Sequence, residues 1–302
     1  MGFKEGKTIK SIVEAVDIGS RCEGYFYRGE NEKFTSPIPG IFRDKYWPFP
    51  ESTKNEDIGA GNVQAFEELG TEKLRITESN LIYTFKRLAP GLISDKELPG
   101  EDNPGNNLKW LFLMQHHGMP TRLLDWTENI LVALFIAVSG KDDKDSQIWT
   151  IQPIKLNKLF GINGFPLPKT DFIEYLAREM FYSEAVKKEK KDELLKKFKL
   201  GTFPEQPIAI LPPLAWPRMI AQHSTFTLHP KPVSQDDIFP LQAELTKHVI
   251  PAEYKLTLRR DLRKLGIQYR TLFPELDSIS KDEIKSVEDT QETYRKQGKW
   301  PL

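Results

Sequence analysis

Residues 115–138 read QHHGMPTRLLDWTENILVALFIAV, from Gln115 to Val138. The segment opens at the end of a helical pattern that starts near Leu108. Leu108, Leu111 and Phe112 share one face of it, Asn106 or Asn107 can cap it, and Gly118 is its natural stop. Thr121 to Asp125 reads as short and extended. Glu128 to Val138 is apolar on every side, so as a helix it must be wrapped by protein all round. Its unbroken core, Ile130 to Val138, spans only about 14 Å as a helix, roughly half a bilayer core. Helix, strand and buried helix in immediate succession, with polar residues at the junctions, predict an α+β fold.

Working outward, Gly24 to Glu30 reads as a strand, since aromatic residues of high strand propensity lead into a glycine turn. Ile12 to Val16 is amphipathic but too brief to type. A proline-rich loop covers Ser36 to Pro50. Glu78 to Ala89 has helical spacing at Leu81, Ile82, Phe85 and Leu88 and stops at Pro90-Gly91. Gln147–Gln152, Gln206–Leu211 and Gln222–Leu228 read as strands. Val249 to Leu258 enters a helix that ends at Gly266. The expected whole is a single domain over residues 1–280, with a small mixed or antiparallel sheet flanked by helices. A helical insertion is expected at about 160–200, chiefly Asp171 to Leu200. The charged tail, 281–302, is expected to be disordered in part.

Composition excludes several classes. Lysine plus arginine equals aspartate plus glutamate, 43 each, so global charge advertises neither nucleic acid nor membrane. One cysteine, Cys22, rules out an internal disulfide framework and fits a reducing, cytoplasmic compartment. The N-terminus lacks the apolar stretch of a secretory leader, and no HExxH spacing suggests a metal. Lys187 to Lys199 holds seven lysines against three acids, a solvated helix face or a contact for an anionic partner. No GxxxxGK[ST], GxGxxG or GxSxG occurs, which disfavours standard nucleotide folds and serine hydrolases.

The candidate site residues fall in separate knots. Arg28 ends the first predicted strand, where its planar fork suits phosphate and Gly29 permits close approach of a ligand. A structural ion pair with Glu30 is the alternative. His116 and His117 sit in a last helical turn and point about 100° apart, so one of them, His117 by choice, faces any pocket. Arg122 and Asp125 point to opposite faces if extended and pair if the chain turns. Trp126 can stack on a planar ring or fill the core. Arg218, Gln222, His223, Ser224 and Thr225 form the last knot, in which a glutamine can hold a ribose hydroxyl or an amide. Glu244 is a lone carboxylate candidate.

Taken together these knots resemble the FRG domain family, named for a signature matched by Tyr27-Arg28-Gly29. The resemblance continues through PGIFR (Pro39 to Arg43) and QHHGMPTRLLDWTENILVALFIA (Gln115 to Ala137). It resumes in PPLAWPRMIAQHSTFTLHP (Pro212 to Pro230) and LFPELDSI (Leu272 to Ile279). It implies a distant ADP-ribosyltransferase-like fold, found among toxin and phage-defence proteins, with NAD as donor and no metal. Arg28 then matches the phosphate anchor on the first core strand, and Thr121 or Thr127 the hydroxyl near the nicotinamide ribose. In place of the group's usual late-strand glutamate, Gln222 stands where the late polar residues cluster.

The implied activity is NAD-dependent ADP-ribosylation of a nucleic acid, RNA favoured, or of a protein. Arg28 and Arg122 would offset the diphosphate, Tyr27 or Trp126 would stack on nicotinamide, and Arg218 and His223 would contact substrate. Asp125, His117 or Gln222 would stabilise the ribose cation or activate the acceptor. An antitoxin or chaperone partner is a corollary, and no membrane is implied. A non-catalytic nucleic-acid- or ligand-binding domain and a metal-independent nuclease using His117 and Arg122 are the rival readings.

Overall fold

A computed structural model describes residues 4–33, 37–43, 76–94, 98–100, 107–159, 162, 164, 192–193, 196, 207–229 and 245–297. Its organising event is the step from β3 (Leu123–Thr127) to α4 (Ile130–Val138). Asn129 starts the helix, its side chain accepting the Leu131 N–H at 2.9 Å, which satisfies one of the free donors of the first turn. Every residue of α4 except Leu131 and Ile136 is buried. The helix lies directly across β2 (Phe26–Glu30). A Cβ at Gly29 would stand 1.9 Å from the Ala133 carbonyl oxygen. Gly29 therefore serves the approach of α4 to the sheet.

Around this pair the strands β1 (Lys4–Thr8), β4 (Ser146–Ile151), β5 (Ile208–Ile210), β6 (Ser224–Leu228) and β7 (Thr246–Ile250) complete one mixed sheet. Its order is β1-β7-β4-β2-β3-β6-β5. Among the described strands only β1 and β7 run parallel; the other pairs are antiparallel. The fold is thus α+β, as the sequence predicts. The central strands β2, β3 and β4 come from the first half of the chain and β5, β6 and β7 from its later part, so the sheet cannot be cut between them.

Two helical layers cover one face of the sheet side by side. Over β2 and β4, α4 packs with α1 (Ile12–Arg21) and α7 (Ala252–Lys264), joining Ala15, Ile18, Ala133, Ile148, Leu258 and Leu262 in one core. Over β3, β6 and β5, α3 (Asn107–His116) packs with the helical residues 76–88, here α2. Leu111, Phe112, Leu123, Ile210 and Phe226 meet there. The opposite face buries Phe26, Leu124, Trp126, Trp149 and Ala209, together with Leu156 from α5 (Pro153–Leu159). No described helix is long and apolar enough to cross a membrane.

Local sequence accounts for several refinements. Ser11 and Glu14 form a reciprocal capping box, which makes the amphipathic opening a helix. Strand β7 stands where helix was expected from Val249, because Pro251 delays the helix to Ala252. The charged tail is helical as far as Gln297, in α9 (Leu276–Gln297), and residues 298–302 lie outside the described ones. Its acids have partners: Asp289 is 2% exposed and meets Arg259 at 2.7 Å. Asp282 accepts the backbone N–H groups of Tyr269 and Arg270, at the start of α8 (Tyr269–Leu272). The expected insertion from Asp171 to Leu200, apart from isolated helical residues, and Glu244 lie outside the described residues.

The edge strand β1 is docked by an imidazole. Buried His248 accepts the Lys7 N–H on Nδ1 at 3.1 Å, within the irregular register between Glu5 and Thr8. Gly6 leaves room for the ring: a Cβ there would lie 2.6 Å from Nδ1. Burial lowers the His248 pKa from its ordinary 6.5 to about 4. A histidine held neutral in this way stabilises the fold fully above its ordinary pKa, and that contribution is lost as pH falls towards 4. His248→Asn keeps an acceptor near Nδ1 but does not titrate there. The wild-type Tm should fall between pH 6.5 and 4 more steeply than that of His248→Asn, by a difference of about 3 kcal/mol at most. Parallel Tm curves for the two proteins would remove His248 as the cause.

Candidate functional site

Strands β2 and β3 barely pair. Tyr27 opposes Thr127 and no further register follows, whereas β2 opposes β4, and β3 opposes β6, along their whole lengths. The two halves of the sheet therefore part at its centre. Arg28 occupies the parting. Its Nη1 donates to the Asp125 backbone carbonyl at 2.9 Å, taking the place of a strand partner. Its Nε donates to Glu30 at 3.1 Å. Glu30, buried, also accepts from Gln147 and from the Trp149 indole, each at 2.8 Å. The Asp125 carboxylate lies 4.0 Å from the guanidinium. Two bonds occupy only part of the arginine's donor fork.

Opposed residues share a sheet face, so Tyr27, Gly29, Asp125 and Thr127 all look toward the helical layers. Between α3 and α4 they floor a cleft of about 300 Å³, at the small end of ligand-sized pockets. Val132 and Ile136 of α4 form one wall and Gln115 of α3 another. Arg218 and Gln222, from the short helix α6 (Pro217–Ala221) and its end, close it with Ser224 and Phe273. The Asp125 side chain is 57% exposed, so its charge is available to whatever enters. Arg218 lies over the Phe273 ring, 4.5 Å from its centre, and its Nη1 donates to the His116 carbonyl at 3.3 Å.

The wall is fixed by polar bonds. Thr127 Oγ1 donates to the Gln222 carbonyl at 2.7 Å and accepts the Asn129 N–H at 3.0 Å. The Gln222 amide donates to the Leu272 carbonyl at 3.1 Å. His223 makes the turn into β6 with φ 47, a left-handed conformation uncommon outside glycine, and its carbonyl accepts the Glu128 N–H at 3.1 Å. Gln115 donates to Asp125 at 2.7 Å and accepts from Thr121 at 2.6 Å.

Of the residues singled out from the sequence, Tyr27, Arg28, Gly29, Asp125, Trp126, Arg218 and Gln222 line this cleft. Thr127 is there too, so it rather than Thr121 offers a hydroxyl in the lining. Thr121 is fully buried behind Gln115. Arg122 points away: it is 4% exposed, its Nε meets Glu78 at 2.6 Å, and it lies against the Phe42 ring. Burial pushes the Glu78 carboxyl up against the pull of Arg122. The pair joins α2 to the start of β3, a structural use. His117 is exposed beside Phe85 and His116 and is not in the lining. His223 is likewise outside the lining.

The two expected stacking rings are committed to the fold. Tyr27 is 3% exposed and its hydroxyl donates to the Cys22 carbonyl at 2.7 Å; burial, with Cys22 and Tyr25 nearby, pushes its pKa up to about 12. The Trp126 indole donates to Thr227 at 3.0 Å. On that side of the sheet, burial and then the charge of Arg28 lower the His229 pKa to about 3. Phe273 was missed, although it stands in LFPELDSI. Gln115 was missed although it opens the most distinctive motif, because a glutamine beside two histidines draws no attention.

Neither a curated protein nor a solved structure matches the chain. A family model does: the FRG domain matches residues 23–146. That segment holds Tyr27, Arg28, Gly29, Gln115, Asp125 and Thr127, and Arg218, Gln222 and Phe273 come to the cleft from beyond it. Residues 23–146 of the chain are therefore a match to the FRG domain family.

Proposed function

We propose that the chain is an NAD-dependent ADP-ribosyltransferase whose acceptor is a nucleic acid, RNA favoured, or a protein. The supporting observation is the central cleft at the parting of β2 and β3, with a cation spanning the gap and an exposed carboxylate in the floor. Its donor set suits the ligand. Arg28 and Arg218 present guanidinium groups to the diphosphate, Arg218 replacing Arg122 in that part. Phe273 offers an aromatic wall, and Thr127 and Gln222 supply the polar groups near the ribose.

The chemistry breaks the bond between nicotinamide nitrogen and the ribose carbon, and joins that carbon to an acceptor oxygen or nitrogen. Nicotinamide leaves with the bonding electron pair, and the acceptor releases a proton. Positive charge on the ribose grows during cleavage, and Asp125 is the exposed anion of the cleft that can offset it. The lysine-rich stretch from Lys187 to Lys199, the sequence argument for a polyanionic acceptor, lies almost wholly outside the described residues. A toxin or phage-defence role, with an antitoxin or chaperone to restrain it, belongs to the same proposal.

Purified protein mixed with NAD labelled in the adenylate, and separately with cell RNA, DNA and lysate, tests the reading. Label should pass to one of the three acceptors and free nicotinamide should accumulate in step. NAD bound without turnover would instead support a binding domain. RNA breakdown without NAD would support a nuclease. Absence of label from every acceptor would sink the transferase reading.

A further inference from the structure

We infer that Gln115 and Thr121 are positioning residues that hold the Asp125 carboxylate aimed into the cleft; the catalytic part of this inference rests on the transferase reading above. A carboxylate only accepts hydrogen bonds, so the Gln115 amide must turn its NH2 to Asp125, at 2.7 Å. That leaves the amide oxygen for the Thr121 hydroxyl, at 2.6 Å. The hydroxyl in turn accepts the Leu123 N–H at 3.1 Å, so its single proton is directed to Gln115. The chain of bonds starts on the β3 backbone, crosses to α3 and returns to β3 two residues further on. Each donor in it is assigned by the one before.

Nothing in the fold alone requires this. The Asp125 side chain is 57% exposed, and a half-solvated carboxylate needs no protein donor to stay satisfied. Gln115 itself lines the cleft. Among the described residues the charged groups about Asp125 are Arg28, at 4.0 Å, and Arg218 in the same lining. Arg28 is shared with Glu30, and Arg218 has Glu275 at 3.9 Å. Gln115 is the neutral donor among them. It fixes the direction of the carboxylate without adding a charge that would compete for a diphosphate.

Gln115→Glu keeps the oxygen that receives the Thr121 proton and nearly the same volume, but sets a second carboxylate against Asp125. Facing carboxylates resist ionising together. Transfer at neutral pH should drop at least about tenfold, the loss of one hydrogen bond to a charged group, and should recover as pH is raised. Carbon NMR of the Asp125 carboxyl should show it titrating at higher pH than in the wild type. Thr121→Val should lower kcat with KM for NAD unchanged, and Thr121→Ser should restore it. If Gln115→Glu fails to fold, the valine and serine pair carries the test. Equal loss at every pH with an unmoved carboxyl titration, or no rescue by serine, overturns the positioning role. If the wild type transfers nothing, the NMR comparison still decides it, and the failure falls on the transferase reading alone.

Discussion

Replacing Lys255 by methionine should lower stability by about 4 kcal/mol or more, read by urea titration at neutral pH. Lys255 is fully buried. Its ammonium donates to the carbonyls of Asn31, Gly140, Lys141 and Lys144, at 2.9, 2.7, 2.9 and 3.1 Å. Those carbonyls belong to the end of β2 and to the loop from α4 into β4. The loop is bent to present them, with Lys141 at φ 48, a conformation that disfavours a side chain. Methionine fills nearly the same space, so packing changes little. What it removes is the charged donor shared by these part-buried carbonyls, of which that of Lys141 keeps the Lys144 N–H at 3.0 Å; each acceptor left without a donor costs about 1–3 kcal/mol. Arg259, one turn along, grips the same loop through the Val138 carbonyl at 2.7 Å and Asp142. Glu253→Gln, exposed on the same helix, is the control and should stay within about 0.5 kcal/mol. A methionine variant as stable as this control would mean that water serves the carbonyls equally well.

That lysine also marks the limit of what could be read from the sequence. The succession from α3 through β3 to α4 was legible because each piece carries its own signal: helical spacing and Gly118, then alternation, then an all-apolar run capped by Asn129. The parting of β2 and β3 was not, because register between strands nearly a hundred residues apart leaves no trace in either strand. Arg28 and Asp125 were legible as chemistry but not as neighbours. Arg122 drew attention by standing in the same motif, yet β3 alternation and the distant Glu78 turn it into the core. Lys255, Arg259 and Asp289 draw no notice in the sequence, since a charge on a helix shows nothing of the partners that bury it. Phe273 and Arg218 reach the cleft only because α8 and α6 fold back across the centre.

The sharper of the functional expectations concerns Asp125. Asp125→Asn should reduce label transfer about a hundredfold or more at saturating NAD, while leaving affinity for NAD within a few-fold of the wild type. The substitution is isosteric and removes one charge. The contact that matters most to the sheet, from Arg28 Nη1, goes to the backbone carbonyl of Asp125 and survives. With 57% of the side chain exposed, stability should move by no more than about 0.5 kcal/mol. Loss of rate therefore cannot be charged to unfolding, provided that Tm is measured alongside. Arg28→Lys should behave differently. It keeps a cation beside the buried Glu30 but loses the planar fork, so KM for NAD should rise more than kcat falls. The two variants thus separate binding of the diphosphate from stabilisation of the ribose cation. Full turnover in Asp125→Asn would remove the carboxylate from the chemistry and pass its part to the neutral groups of the cleft, Gln222 first.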